Sequence, residues 1–242
     1  MYNLIKIELI KIKKRKLILI SLIISFLFGL VYPLIYKICG FNLNGENSYQ
    51  IIRNFYNVFQ ICIFIPSAEI ISSDFSSGYT DDVIGYGYKR SQYWLTKMLT
   101  VLLTHLSINI IIILSILFSS TIIFGAGNFD YNFWIKSLFL AVIYSVSIIS
   151  LGSLICFFLV DITRISICFI AMSFLLQIIS SFFAKFEVIK YISIMQGNLI
   201  FFPLRSDDQV NSFLIGSFVF TIVCYCIGFI HFTKTDIKKS IA

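Results

Sequence analysis

Lys11-Ile-Lys-Lys-Arg-Lys16 runs straight into Leu17-Ile-Leu-Ile-Ser-Leu-Ile-Ile-Ser-Phe-Leu-Phe-Gly-Leu-Val-Tyr-Pro-Leu-Ile-Tyr-Lys-Ile38, a basic collar on an apolar stretch with Lys37 as its one charge. A bilayer core about 30 Å thick is crossed by about 20 apolar residues of helix. The stretch is continuous rather than alternating, which selects a helix over a barrel strand. A collar followed by an apolar run is also the outline of a signal peptide. This run exceeds the usual h-region of about 7–15 residues and no small-x-small pattern follows it, so a retained first span is expected.

Five similar runs follow, at Phe55–Ser72, Trp94–Phe124, Phe133–Val160, Ile165–Phe183 and Phe213–Phe232. Of the 242 residues, 58% are hydrophobic and 13% charged, with 26 Phe and a mean hydropathy of +0.92. A soluble domain carries about 25% charged residues. The expected fold class is therefore all-α: a polytopic membrane protein of six transmembrane helices in a single domain, residues 1–242. The third and fourth runs are longer than a bilayer requires and must tilt or protrude. Trp94 and Trp134, near the starts of spans, are expected as interfacial anchors.

Charge sets the expected orientation. Lys6, Lys11, Lys13, Lys14, Arg15, Lys16, Lys89, Arg90, Lys97, Arg164, Lys234, Lys238 and Lys239 fall in one set of connections; Lys37, Arg53, Lys136, Lys185, Lys190 and Arg205 fall in the other. The richer set belongs in the cytoplasm, with both termini. The net charge of +7 is then a product of topology, and nucleic acid is not an expected partner. Residues 1–16 read as an interfacial helix along the inner leaflet, with Ile5, Leu9 and Ile12 sharing a face. Residues 184–212 form the long external segment, where Val188–Phe202 is too apolar for a free loop and is expected to hold short re-entrant helices.

Chemistry-bearing constellations are absent from the sequence. His105 and His231 are lone histidines, with no His-Glu-x-x-His motif and no Gly-x-Ser-x-Gly elbow, so no catalytic residue is assigned. Five of the six cysteines lie in apolar runs, where a thiol packs as a small hydrophobe, and no metal site is expected. Glu69 is the exception in the second span, three residues after Pro66, which frees a carbonyl and is expected to kink or interrupt the helix. Glu69 either pairs with a cation such as Lys97 or, with Pro66, forms a candidate gate.

One polar segment stands between the second and third runs: Asp74-Phe-Ser-Ser-Gly78-Tyr-Thr-Asp-Asp-Val-Ile-Gly85-Tyr-Gly-Tyr-Lys89-Arg90. Its Gly85-Tyr-Gly-Tyr88 lacks the order of a phosphate-binding loop. Asp74, Asp81 and Asp82 near the start of a short helix, with Lys89 and Arg90 at its end, are expected to complement a helix dipole. Gly78 suits a tight turn. The alternative is a solvated connection.

This segment resembles the cytoplasmic segment of type 2 ABC exporter permeases, in which an acid-x-x-x-Gly-Thr sequence leads through an Arg to a Lys entering the next span. Asp74 and Gly78 keep the spacing, and Arg90, Tyr93, Thr96 and Lys97 match the continuation; Tyr79-Thr80 stands where the family has Thr at once. The layout, with a basic N-terminal elbow, six spans and a long external segment before the last, is similar too, especially to small permeases of peptide-export and lantibiotic-immunity systems. The resemblance implies that residues 74–90 form a coupling helix docking an ATPase, with Asp74, Gly78, Tyr79, Thr80, Asp81, Asp82, Arg90 and Lys97 at that site. It implies no cofactor on this chain, since ATP and magnesium belong to the partner. The implied partners are the ABC ATPase subunit, a second copy or related permease, membrane lipids, and an amphipathic or peptide substrate. The location implied is the plasma membrane. A stand-alone immunity or sensor protein that binds a peptide or partner without transport is the alternative.

Overall fold

The computed structural model describes residues 2–41, 48–59, 64–125, 127, 130–159, 161–183, 200 and 206–234. Among them the regular structure is entirely helical: α1 (Tyr2–Lys14), α2 (Lys16–Ile38), α3 (Ser48–Phe59), α4 (Phe64–Ser76), α5 (Tyr79–Gly85), α6 (Arg90–Phe124), α7 (Tyr131–Leu159), α8 (Ile162–Phe183) and α9 (Asp207–Lys234). Four of these, α2, α6, α7 and α9, are long and apolar enough to cross a membrane. Their outer faces carry Leu, Ile, Val and Phe in rows, such as Leu19, Ile20, Ile23 and Ile24 on α2 and Ile215, Phe218, Val219 and Ile222 on α9. Patches of that extent are untenable in water and cost nothing against lipid tails. The chain is a helical membrane protein.

Local chemistry explains the helix ends. Asp130 accepts from the Asn132 and Phe133 amides at 3.0 and 3.1 Å, capping α7. Asp161 accepts from the Thr163 amide at 3.1 Å and starts α8. Ser206 and Gln209 form a reciprocal capping box, the Gln209 amide donating to Ser206 Oγ and the Ser206 amide to Gln209 Oε1. That box starts α9 at Asp207, ahead of the expected Phe213. Arg15, with extended backbone (φ −79°, ψ 109°), separates α1 from α2.

The expected span over 55–72 falls on two helices, α3 and α4, of 12 and 13 residues; residues 60–63 between them lie outside the described residues. Pro66 sits in the first turn of α4, where its missing N–H leaves no intrahelical bond unmade. The expected fifth span corresponds to α8, of 22 residues. The re-entrant helices expected within 184–212 lie outside the described residues apart from Ile200 and the beginning of α9. Trp94 and Trp134 are corrected: both are buried in the bundle, Trp94 edge-on to Tyr225 and Phe229. Residue counting located these rings along the axis but not around it.

α2 and α6 run parallel and close. Ser119 Oγ donates to the Leu30 carbonyl at 2.7 Å and Lys37 Nζ to the Ile123 carbonyl at 3.3 Å. A Cβ on Gly29 would stand 1.7 Å from Ser115 Oγ, so this approach requires glycine. α7 and α9 are also parallel, matched through Tyr144 with Phe213, Ser147 with Thr221 and Leu154 with Gly228. α9 opposes α6, since Tyr93 at the start of α6 stacks on Phe232 at the end of α9. The starts of α2 and α6 therefore share one end of the bundle with the finishes of α4, α7 and α9. At that end Phe75, Phe157 and Phe232 pack as an aromatic floor.

Candidate functional site

Above the aromatic floor lies a cluster of buried charge. α1 turns Leu4, Glu8, Lys11 and, just past its end, Arg15 inward, a 4-3-4 spacing that lines one helical face. The expected shared face of Ile5, Leu9 and Ile12 points away from this cluster, with Leu9 exposed, while a second face of the same helix buries Leu4 and Glu8. α4 contributes Asp74 from its last turn, 2% exposed, and α6 contributes Lys97, 0% exposed.

Lys97 Nζ bridges the two carboxylates, 2.5 Å from Glu8 Oε2 and in contact with Asp74 Oδ2. Arg15 Nη2 donates to Asp74 Oδ1 at 3.0 Å, and Arg15 Nη1 to the Glu69 carbonyl oxygen at 2.9 Å. Lys11 Nζ reaches Asp74 Oδ1 at 3.4 Å and Glu8 Oε1 at 3.5 Å. Tyr93, one turn before Lys97, donates to Asp74 Oδ2 at 3.3 Å and shares a 3.0 Å hydrogen bond with Thr80 Oγ1. Three cations thus meet two carboxylates with each carboxylate oxygen engaged. Removing one partner of such a set leaves an uncompensated buried charge, at a cost of about 3–5 kcal/mol.

The field acts on its neighbours. Burial pulls the Lys11 ammonium below its ordinary pKa, while Asp74 and Glu8 pull it back up. Lys11 Nζ sits 2.9 Å from the Tyr79 ring centroid, a cation–π contact. Burial, then the charges of Glu8 and Asp74, push the Tyr79 phenol up to about 12.

The polar segment has two faces. Gly78 adopts φ +72°, a left-handed turn that directs the chain from α4 into α5. α5 turns Thr80 and Val83 inward and leaves Asp81, Asp82, Gly85 and Tyr86 outward, Tyr86 being 85% exposed. Asp81 and Asp82 do stand in its first turn, whereas Asp74 lies in the last turn of α4, before the Gly78 turn. Lys89 and Arg90 do not close it: Lys89 is the N-cap of α6 and Arg90 its first residue. Arg90 instead reaches the Phe232 and Thr233 carbonyls at 3.5 and 3.4 Å, supplying donors to the end of α9.

The residues singled out from sequence are thus sorted. Asp74, Thr80 and Lys97 meet in the buried cluster, Tyr79 covers it, and Asp81 and Asp82 stand on the outer face. Glu69 lies beside the cluster through its backbone, with Oε2 lacking a hydrogen-bond partner. Its expected pairing with Lys97 is replaced by Glu8 and Asp74. Glu8, Lys11 and Arg15 were missed as site residues. Glu8 carried a signal, as the one acidic residue among the first 45. His105 is buried in α6, and His231 stacks on Phe158 with centroids 4.0 Å apart. Among the described residues no three His, Cys, Asp or Glu side chains are grouped to hold a metal. Mechanically, the cluster fastens α1, α4, α5 and α6 together where α5 emerges from the bundle. No protein-family model, curated protein or solved structure matches the chain.

Proposed function

We propose that the chain is the permease subunit of an ABC exporter, in which α5 receives force from a separate ATPase and the ion cluster passes it to α1 and α6. The observation that carries this reading is the two-sided build of α5. Its inner side joins the buried cluster through Thr80 and Tyr93, and its outer side offers Asp81, Asp82 and Tyr86. A solvated connection needs no such anchorage. In this reading the chain makes six crossings of the plasma membrane, with α3–α4 and α8 completing the set and both termini cytoplasmic. The chain is not itself an enzyme; it works with a second copy or related permease. Its cargo is amphipathic, in the manner of an antimicrobial peptide taken from the membrane.

The test is affinity purification of the tagged full chain from its native membranes. Co-purification of an ATPase subunit is expected, with hydrolysis that falls in Asp81→Lys/Asp82→Lys while membrane abundance holds. A chain that purifies alone and supports no ATP hydrolysis refutes the reading. Topology is checked separately: Ser206→Cys, at an exposed position and in a background without native cysteine, labels from outside intact cells, and Ser77→Cys, also exposed, does not. Outside labelling of Ser77→Cys overturns the six-span arrangement.

A further inference from the structure

α1 and the junction after it divide their cations between two sides. Lys11 and Arg15 turn inward and are paired in the cluster, beside Glu8, the one acid of α1. Lys6, Lys13, Lys14 and Lys16 are exposed, and among the described residues no carboxylate stands against them. At 3.6 residues per turn, Lys6 and Lys13 share the face opposite Leu4 and Glu8, with Lys14 beside them. Ile7, Leu9 and Ile10 are exposed among those lysines.

This surface continues into the first span. The Arg15 amide donates to the Lys11 carbonyl at 3.1 Å and the Leu19 amide to the Arg15 carbonyl at 3.3 Å, so hydrogen bonding runs through the bend. Beyond it Lys16 and Leu17 are exposed, and the exposed row goes on through Leu19, Ile20, Ile23 and Ile24 of α2. Acyl tails cover those rows, so the headgroup layer above the same tails covers the lysines at their head. Ile7, Ile10 and Leu17 suit the acyl margin of that layer, with the ammonium groups level with the phosphates. Four positive charges without an acid on their side of the helix ask for headgroups of net negative charge. A soluble acidic partner leaves the apolar continuity with α2 without a purpose.

We propose that the outer side of α1, with Lys16, is a site for anionic phospholipid of the phosphatidylglycerol class, and that the bound lipid holds α1 in place over the cluster. Glu8, on the opposite side of the same helix, pairs with Lys97, so a grip on one side steadies the contacts on the other. The site stands with or without an ATPase, and its test reads lipid alone.

The full chain is placed in nanodiscs of phosphatidylcholine and in nanodiscs of equal parts phosphatidylcholine and phosphatidylglycerol. Amide exchange along α1 and the unfolding temperature are read in both. Phosphatidylglycerol slows exchange in α1, by about fivefold for each lysine that meets a headgroup. It also raises the unfolding temperature, and added salt shrinks both gains. In Lys6→Gln/Lys13→Gln/Lys14→Gln/Lys16→Gln both gains vanish, while behaviour in pure phosphatidylcholine stays that of the wild type. Arginine at the same positions keeps them. Lys13→Gln/Lys14→Gln loses part of each gain and serves if the fourfold variant fails to insert. Equal exchange of α1 in the two lipids, gains indifferent to salt, or gains kept in the glutamine variants overturn the proposal. So does protection of α1 in pure phosphatidylcholine by heparin, a soluble polyanion, as full as that given by phosphatidylglycerol, since that outcome assigns the face to a soluble acidic partner.

Discussion

The charged end and the middle of the bundle solve the same problem in opposite ways. At the end, Glu8, Asp74, Lys11, Arg15 and Lys97 find their partners in one another, in Tyr93 and in the Glu69 carbonyl, across α1, α4, α6 and the Arg15 junction. In the middle, Thr100, Thr104 and Ser145 turn their hydroxyls back onto their own helices, at 2.7, 3.0 and 2.8 Å. A hydroxyl satisfied within its own helix can be buried wherever the helix goes. Charges must find partners from elsewhere, so they fix which segments meet. The middle is adaptable in partner and demanding in shape; the end is the reverse.

The largest expected effect comes from breaking the end. Lys97→Met leaves Glu8 and Asp74 with only the more distant, part-exposed Lys11 between them and should cost about 3–5 kcal/mol, read as a fall in detergent-solubilised thermal stability. Adding Glu8→Gln should recover part of the loss, because Asp74 keeps Arg15 and Lys11. If the double variant is no more stable than Lys97→Met, the cluster is not the coupled unit described.

Shape is tested next, in the middle. Gly29→Leu must drive α2 away from Ser115 and should cost about 1–3 kcal/mol, as overpacking does. Ser115→Gly should relieve much of it in the double variant, whereas Ser115→Gly by itself is mild. Full stability in Gly29→Leu contradicts the close crossing.

A smaller effect isolates backbone from packing. A Cβ on Gly78 meets no atom within 4 Å, so only its φ of +72° matters. Gly78→Val should cost about 1–2 kcal/mol and Gly78→Asn less, since Asn enters the left-handed region more readily. Equal losses for the two variants would show that the turn is not what glycine serves.

The smallest effect is alkaline. With its pKa raised to about 12 against an ordinary value near 10, the Tyr79 phenol holds its proton more tightly in the folded state. Its contribution is complete below pH 10 and is lost as pH rises through about 12. Lys11, shifted down, acts with the opposite sign below its ordinary value near 10.5. Partial exposure of Tyr79 keeps the effect small. Between pH 10 and 12 the wild type should lose more stability than Tyr79→Phe; parallel curves would remove the shift from the account.

Much of the fold was legible because it is local. The runs at 17–38, 94–124 and 133–160 became α2, α6 and α7 with ends within a few residues, and Ser206-x-x-Gln209 could have placed the start of α9 as well. The candidate site was legible only in part. Asp74, Gly78 and Lys97 stood out by type and position, but whether they faced outward or inward did not follow from spacing. Arg90 illustrates the reason: its partners are the Phe232 and Thr233 carbonyls, 142 and 143 residues away.

The sequence by itself determined that this is a helical membrane protein, since length, apolar continuity and caps act within one helix and need no partner. Only the tertiary structure decided how each helix is rotated about its axis. That rotation turned Glu8 toward Lys97, 89 residues distant, put Trp94 inside the bundle, and left Asp81, Asp82 and Tyr86 as the outward face of α5. A buried charge is stable only opposite its counter-charge, so partners far apart in the chain, rather than neighbours, settle which face of each helix is in.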